Sequence, residues 1–173
     1  ENHNGYQYKD GLNILNEKFI DDPEASCVSG GFYFTDYNHL PKFFEYGIWI
    51  REVTIPTDAK VVLDPEGNKW RCDKIIFGNK YHIKNDFDKW FDSEKFNWKF
   101  SNYLAKYFSN QFDKWFDPDK FNWNYLKYIA EYCSDHFDLW FDPNKFNWND
   151  SDYLVKFCSK YKDKWEKYMP INF

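Results

Sequence analysis

The chain has 173 residues, a formal charge of −5, 24% aromatic residues and a mean hydropathy of −0.86. The acidic balance leaves no basic field to hold nucleic-acid phosphates or an anionic membrane, and no run approaches the roughly 18 apolar residues of a membrane span. What remains is a small core of large rings inside a charged exterior. No signal-peptide pattern opens the chain, and since it begins at Glu1 without Met, a few residues are expected to be missing or removed.

Residues 1–84 read as α+β. A short strand is expected around Gly5 to Tyr8, then a polar stretch containing Pro23, then the turn Gly30-Gly31 leading into an aromatic strand, Phe32-Tyr33-Phe34-Thr35. "DYNHLPKFFEYG" predicts a brief helix capped by Asp36 or Asn38 and stopped by Gly47. "IWIREVTIP" alternates as a half-buried strand does and Pro56 ends it; "AKVVL" is a second strand, "DPEGNK" a turn and "WRCDKIIFG" a third strand.

From Asn85 the pattern becomes a repeat. Trp90, Trp115, Trp140 and Trp165 are 25 apart, as are Phe87, Phe112 and Phe137, and Trp98, Trp123 and Trp148. The two Trp columns hold all but Trp49 and Trp70 of the indoles, so the block "WFDPxKFNW" is a building unit. In "NYLKYIAEYCSDHFDLWF" the apolar residues Ile129, Tyr132, Cys133, His136, Phe137 and Trp140 fall three and four apart, which predicts one amphipathic helix of about four to five turns. Asp142 stands where an N-cap belongs, with Pro143 at the first helical position, so "PNKFNW" predicts a short second helix. A unit of this size cannot bury its face alone, and neighbours are expected to stack. In the last copy Lys162 and Glu166 replace Phe137 and Phe141, the polar face of a terminal cap, while "PINF" keeps the pitch of "KFNW".

The Trp columns could stack a ligand, but their register with Phe favours a core of Trp90, Trp98, Trp115, Trp123, Trp140, Trp148, Phe112, Phe121, Phe137 and Phe146. The columns Asp88, Asp113, Asp138, Asp163 and Lys95, Lys120, Lys145 could cap helices, pair across repeats or form a charged strip. Lys95, Lys120, Lys145, Asp113 and Asp138 are the binding candidates on that last reading. Cys27, Cys72, Cys133 and Cys158 show no CxxC spacing and no His at ligand distance, so small buried residues in a reducing, intracellular compartment are expected, with no metal. No nucleophile and base arrangement, phosphate-binding Gly motif or calcium loop is readable. Lys, Asn, Phe, Tyr and Ile are abundant, while only Arg51 and Arg71 are arginine among 23 basic residues, a bias that points to an AT-rich genome.

The succession "GYQYKDGLN", "SCVSGGFYFTDYNHLPKFFEYGIWIREVTIP" and "GNKWRCDKIIFG" resembles the N-terminal domain of uncharacterised repeat proteins from amoeba-infecting giant viruses of the mimivirus group. The WFDPxKFNW units occur in the same proteins, so the likeness covers nearly the whole chain. It implies a viral protein expressed in an amoeba's cytoplasm and brings no known activity with it. "GGFYFTDYNHLPKFFEYG" also looks like the middle element of ADP-ribosyltransferases, with Tyr33 in the tyrosine position. That likeness implies a transferase scaffold using NAD, but "GYQY" lacks the expected His or Arg, and Asp73 stands near where a catalytic Glu belongs.

The sequence thus predicts an α+β chain: a small mixed sheet domain over 1–84, then an all-α solenoid of short-helix and long-helix repeats over 85–173, ending in a polar cap that keeps the C-terminal end monomeric. The expected work is non-catalytic binding of a host or viral protein in the host cytoplasm, without cofactor. The alternatives are an NAD-using transferase head, active or degenerate, and a structural component of the virion.

Overall fold

A computed structural model of the chain describes residues 2–3 and 6–169. Two compact units divide it, Glu1–Lys95 and Phe96–Phe173, so the first "FDKW" copy belongs to the first unit. The architecture is α+β, with small antiparallel sheets followed by helical repeats.

Among the described residues the first unit contains eight strands: β1 (Asn2–His3), β2 (Tyr6–Gln7), β3 (Gly11–Ile14), β4 (Phe32–Phe34), β5 (Trp49–Thr54), β6 (Val61–Leu63), β7 (Trp70–Cys72) and β8 (Lys74–His82). β1 and β2 form a hairpin, so the strand expected around Gly5 to Tyr8 is one arm of a pair; Gly5 itself lies outside the described residues. The other strands form two antiparallel sheets, ordered β3-β8-β5 and β4-β7-β6. Phe32, Cys72 and Ile75 are the buried centre, and Tyr6, Tyr8, Leu15, Phe34, Val53, Ile55 and Phe77 pack around it. Each ring removed from water there stabilises the fold by about 1.5–3 kcal/mol.

Three elements differ from expectation. β3 falls in the stretch read as polar, because its alternation is inverted: Asn13 is buried while Leu12 and Ile14 face outward. Asn13 is satisfied locally, accepting from the Lys9 N–H at 3.0 Å and donating to the Lys9 carbonyl at 2.8 Å. "WRCDKIIFG" is two strands, because Asp73 carries the chain from one sheet to the other. Its N–H donates to the Lys60 carbonyl and its own carbonyl accepts from Leu15. The brief helix is a single 3₁₀ turn, Leu40–Phe43, preceded by Asp36, whose carboxylate accepts from the His39 N–H at 2.9 Å.

A long excursion, residues 15–31, joins β3 to β4. It closes on itself where the Ile20 N–H donates to the Gly30 carbonyl. Gly30 has φ +83°, and a Cβ there would stand 2.6 Å from Ile20 Cγ1 and 2.7 Å from the Lys18 carbonyl oxygen, so only glycine fits.

The helical segments are α1 (Phe87–Trp90) in the first unit, and α2 (Ser101–Phe108), α3 (Phe112–Trp115), α4 (Leu126–Tyr132), α5 (Phe137–Trp140), α6 (Ser151–Phe157) and α7 (Lys162–Trp165) in the second. The single long helix expected in each copy is therefore two. The break falls at Phe108, Cys133 and Cys158, whose φ values of −129°, −120° and −120° leave the helical region. Ser109, Ser134 and Ser159 follow the break, and serine at such a point offers the backbone competing hydrogen bonds.

The short helix expected over "PNKFNW" is a turn. Asp142 accepts from the Asn144 N–H through its side chain at 2.9 Å, and its carbonyl accepts from Lys145 and Phe146. Asn147 then takes an extended conformation and caps the next 3₁₀ turn, Trp148–Asp150, accepting from the Asn149 N–H at 3.2 Å. Asn122 does the same for Asn124. The cap is thus the Asn of "FNW" rather than the Asp of "WFDP". Residues 170–173, the "PINF" copy, lie outside the described residues.

Candidate functional site

The two Trp columns have different environments. Trp90, Trp115, Trp140 and Trp165 are buried, and each indole donates to a carbonyl seven residues earlier, that of Ile83, Phe108, Cys133 and Cys158 at 2.9–3.0 Å. Trp98, Trp123 and Trp148 are only half-buried, which corrects their assignment to the core. Trp123 and Trp148 donate instead to the carbonyls of Pro118 and Pro143 in the turn, at 3.0 and 3.3 Å. Phe112, Phe121, Phe137 and Phe146 are buried. Phe112 stacks on His136 of the next copy at 4.6 Å between centroids, and Phe137 on Tyr161 at 4.7 Å.

Cys72, Cys133 and Cys158 are buried, and burial pushes each thiol up to about 12. Cys27 departs from the expected burial: it is exposed, with φ +53°.

Much of the charged strip is used to tie copy to copy. Lys145 meets Asp119 of the preceding copy at 2.8 Å, and Lys164 meets Asp138 at 2.5 Å. Lys160 pairs with Asp135 in the same sense. Lys95 and Lys120 lie beside the Asp of their own turns, Asp92 and Asp117, at 2.9 and 3.7 Å. Asp113 is exposed. Hydrogen bonding to Asp119 and to Asp138 holds Lys145 and Lys164 above the ordinary lysine pKa, so both ammonium groups remain charged.

A different column lies partly at the surface. Tyr103, Tyr128 and Tyr153, again 25 apart, are half-buried on α2, α4 and α6, each followed one turn later by Tyr107, Tyr132 or Phe157. Tyr103 stacks on Tyr107 at 6.2 Å and Tyr128 on Tyr132 at 6.3 Å, and the Lys106 ammonium lies 4.8 Å from the centre of the Tyr107 ring. The same 25-residue period marks this column in the sequence.

In the first unit, Tyr33 and Asp73 occupy different surroundings. The Tyr33 hydroxyl accepts from the Val28 N–H at 2.9 Å and from Arg71 Nη1 at 3.3 Å, and donates to the Val28 carbonyl at 3.0 Å. Asp73 accepts from the Lys60 N–H at 2.8 Å. Tyr33 contributes to a cleft of about 580 Å³ with Phe43, Tyr46, Trp49, Val53 and Phe77; Asp73 is not among its lining residues.

Beside Tyr33, buried Asp64 accepts from Ser26 Oγ at 2.9 Å and from the Glu66 N–H at 3.2 Å, with Lys69 Nζ at 3.6 Å. Burial raises the Asp64 pKa, but the Glu66, Ser26 and Lys69 donors more than reverse that and leave it below the ordinary value. Burial lowers the Lys69 pKa, and the Cys27 thiol and Asp64 reverse it upward. Lys69 Nζ also donates to Ser26 Oγ at 3.5 Å, so the cluster ties the 15–31 excursion to the turn between β6 and β7.

Among the described residues no helix is long and apolar enough to cross a membrane, and no group of three or more His, Cys, Asp or Glu could hold a metal ion.

Comparison with curated proteins finds relatives in Acanthamoeba polyphaga mimivirus. One, named for ankyrin repeats, is 42% identical over 88 residues, 49% of this chain and 44% of its own length. An uncharacterised protein is 41% identical over 93 residues, 52% of this chain and 66% of its own. Another named for ankyrin repeats is 39% identical over 85 residues, 45% of this chain and 27% of its own. The chain is thus similar to repeat proteins of a mimivirus, with each match spanning about half of it rather than nearly the whole. It spans less than two thirds of the length of each of these relatives. Ankyrin units run to about 33 residues, so the 25-residue period here is a different repeat. No family model and no solved structure matches the chain.

Proposed function

We infer that the helical repeats form a solenoid that binds a protein partner, host or viral, in the cytoplasm of the infected amoeba, without a cofactor. The observation that carries this reading is the ladder of half-exposed rings Tyr103/Tyr107, Tyr128/Tyr132 and Tyr153/Phe157. Tyrosine offers a large contact area with a polar tip and loses little conformational freedom on binding, which is why it is enriched at recognition surfaces. Here the rings are mounted on helices fixed from behind by buried indole and thiol columns, so little further ordering is needed when a partner docks. The similarity to viral repeat proteins supports the same reading.

Affinity capture from infected amoebae tests it, with wild type compared against the double variant Tyr107→Glu and Tyr132→Glu. A partner retained by wild type and lost by the variant, at unchanged melting temperature, is expected. Equal retention by both would remove the ladder as the binding surface.

A further inference from the structure

The tyrosine ladder has a pitch, and the pitch selects what can lie along it. The Tyr103 and Tyr107 rings are 19° from parallel and the Tyr128 and Tyr132 rings 22°. Residues four apart stand one above the other along a helix, so each copy raises one ridge of two rings parallel to its helix. Consecutive helices are in contact. α2 packs on α4 and α4 on α6, with Cys133 Sγ 3.8 Å from the Ala105 carbonyl and Cys158 Sγ 3.8 Å from that of Ala130. Packed helices stand about 8–10 Å apart, so a chain crossing them meets one ridge in each such interval.

That interval separates the conformations a bound segment can take. A β-strand returns a side chain to the same face about every 6.7 Å. An α-helix does so after about 5.4 Å, or about 10.8 Å over two turns. Polyproline II, with three residues per turn and a rise of about 3.1 Å, repeats its face about every 9.3 Å, within the helix spacing.

The polar chemistry agrees. The hydroxyls of Tyr6, Tyr33 and Tyr81 donate within the chain, to the Ile14 carbonyl, the Val28 carbonyl and the Glu52 carboxylate. Among the described residues, those of Tyr128, Tyr132 and Tyr153 have no partner in the chain. A proline-rich segment brings carbonyl acceptors and few donors, since proline has no N–H and polyproline II makes no internal hydrogen bonds. Beside the ladder the charge alternates, Lys106, Glu131 and Lys156, which favours an uncharged segment over an acidic or basic one. Lys106 and Lys156 lie over the Tyr107 and Phe157 rings at 4.8 and 4.9 Å; in the middle copy Glu131 takes that place and Tyr132 is 37% exposed.

We propose that the ladder takes a proline-rich segment in the polyproline II conformation, lying across α2, α4 and α6 with Tyr132 as its central anchor. The assignment rests on the ladder being the binding surface and names the chemistry of its partner.

Calorimetric titration of the full chain tests it with a capped oligoproline of about nine residues, three turns for three ridges, and with a glycine-serine peptide of equal length. Saturable binding of the oligoproline alone is expected. Tyr132→Ala should weaken it by about tenfold or more, as for truncation of an aromatic anchor. Tyr132→Phe, which keeps the ring and removes the donor, should weaken it about fivefold. Tyr46→Ala, at an exposed ring of the first unit, should leave it unchanged. Absence of saturable oligoproline binding, equal binding of the glycine-serine peptide, or unchanged affinity in either Tyr132 variant would overturn the proposal. If a partner is captured from infected amoebae through Tyr107 and Tyr132 while the oligoproline fails to bind, the polyproline assignment falls and the ladder remains the binding surface. Failure of both removes the ladder itself.

Discussion

The indole nitrogen of Trp140 donates to the carbonyl of Cys133 at 2.9 Å, across the point where the helix breaks. The same seven-residue link recurs at Trp90, Trp115 and Trp165. One buried ring thus fills the space behind the break and also pairs with the carbonyl at it, which makes the break a fixed corner.

Substitutions in the two Trp columns should therefore separate. Trp140→Ala is expected to cost about 3–5 kcal/mol, as for a buried aromatic truncation. Trp123→Ala should cost roughly 1–2 kcal/mol because its ring is already partly in water. Urea unfolding of the two variants measures both values, and equal losses would mean that the columns share one environment.

The thiols give a second expectation, whose sign follows from their direction of shift. Cys133 and Cys158 move from 9.0 to about 12, so between those values the folded chain keeps protons that the unfolded chain has lost. Stability from these groups must then fall as pH rises from 9 toward 12. Replacing both by alanine should flatten that alkaline slope in urea melts. In native protein a maleimide should label Cys27 alone, and all four cysteines only after denaturation.

At the acid end the sign is opposite. Asp64 lies below its ordinary 3.8 in the folded state, so its contribution is present above that value and lost as pH falls below it. Asp64→Asn should lower stability at neutral pH and reduce the acid-dependent loss. The urea midpoint followed from neutral pH down through 3.8 gives the comparison.

A fourth expectation concerns the last described copy. Phe137 stacks on the following copy, whereas Lys162, its counterpart, is exposed and pairs with Glu166 at 3.2 Å. Replacing both with Phe, as Lys162→Phe and Glu166→Phe, should put two rings at exposed positions, and exposed aromatic patches drive association. Light scattering should report concentration-dependent growth in mass. A variant that stays monomeric would show that this column does not face a following copy.

Much of this fold was legible because its signals are periodic. Phe112, Phe137, Trp115 and Trp140 announce buried positions by recurring in register, and β5 and β6 by alternation between turns. The break at Cys133 was not legible, since apolar residues on both sides of it keep helical spacing although the backbone does not. β3 was missed because Asn13 is the inward residue, an inversion that only its local hydrogen bonds make tolerable. Trp98, Trp123 and Trp148 were misplaced because recurrence alone does not tell a fully buried ring from one lying half across a turn.

The ties between copies, Phe112 to His136, Phe137 to Tyr161, Lys145 to Asp119 and Lys164 to Asp138, each run from one copy to its neighbour, and the two ring stacks are one relation displaced by twenty-five residues. Nothing in them refers to a position's absolute place in the chain. Unequal crossing-over that adds or removes a multiple of twenty-five codons would therefore keep the ring stacks in register across the joint, whereas any other gain or loss would break them. A gene so built can change its length in whole units during viral descent without first passing through a misfolded intermediate.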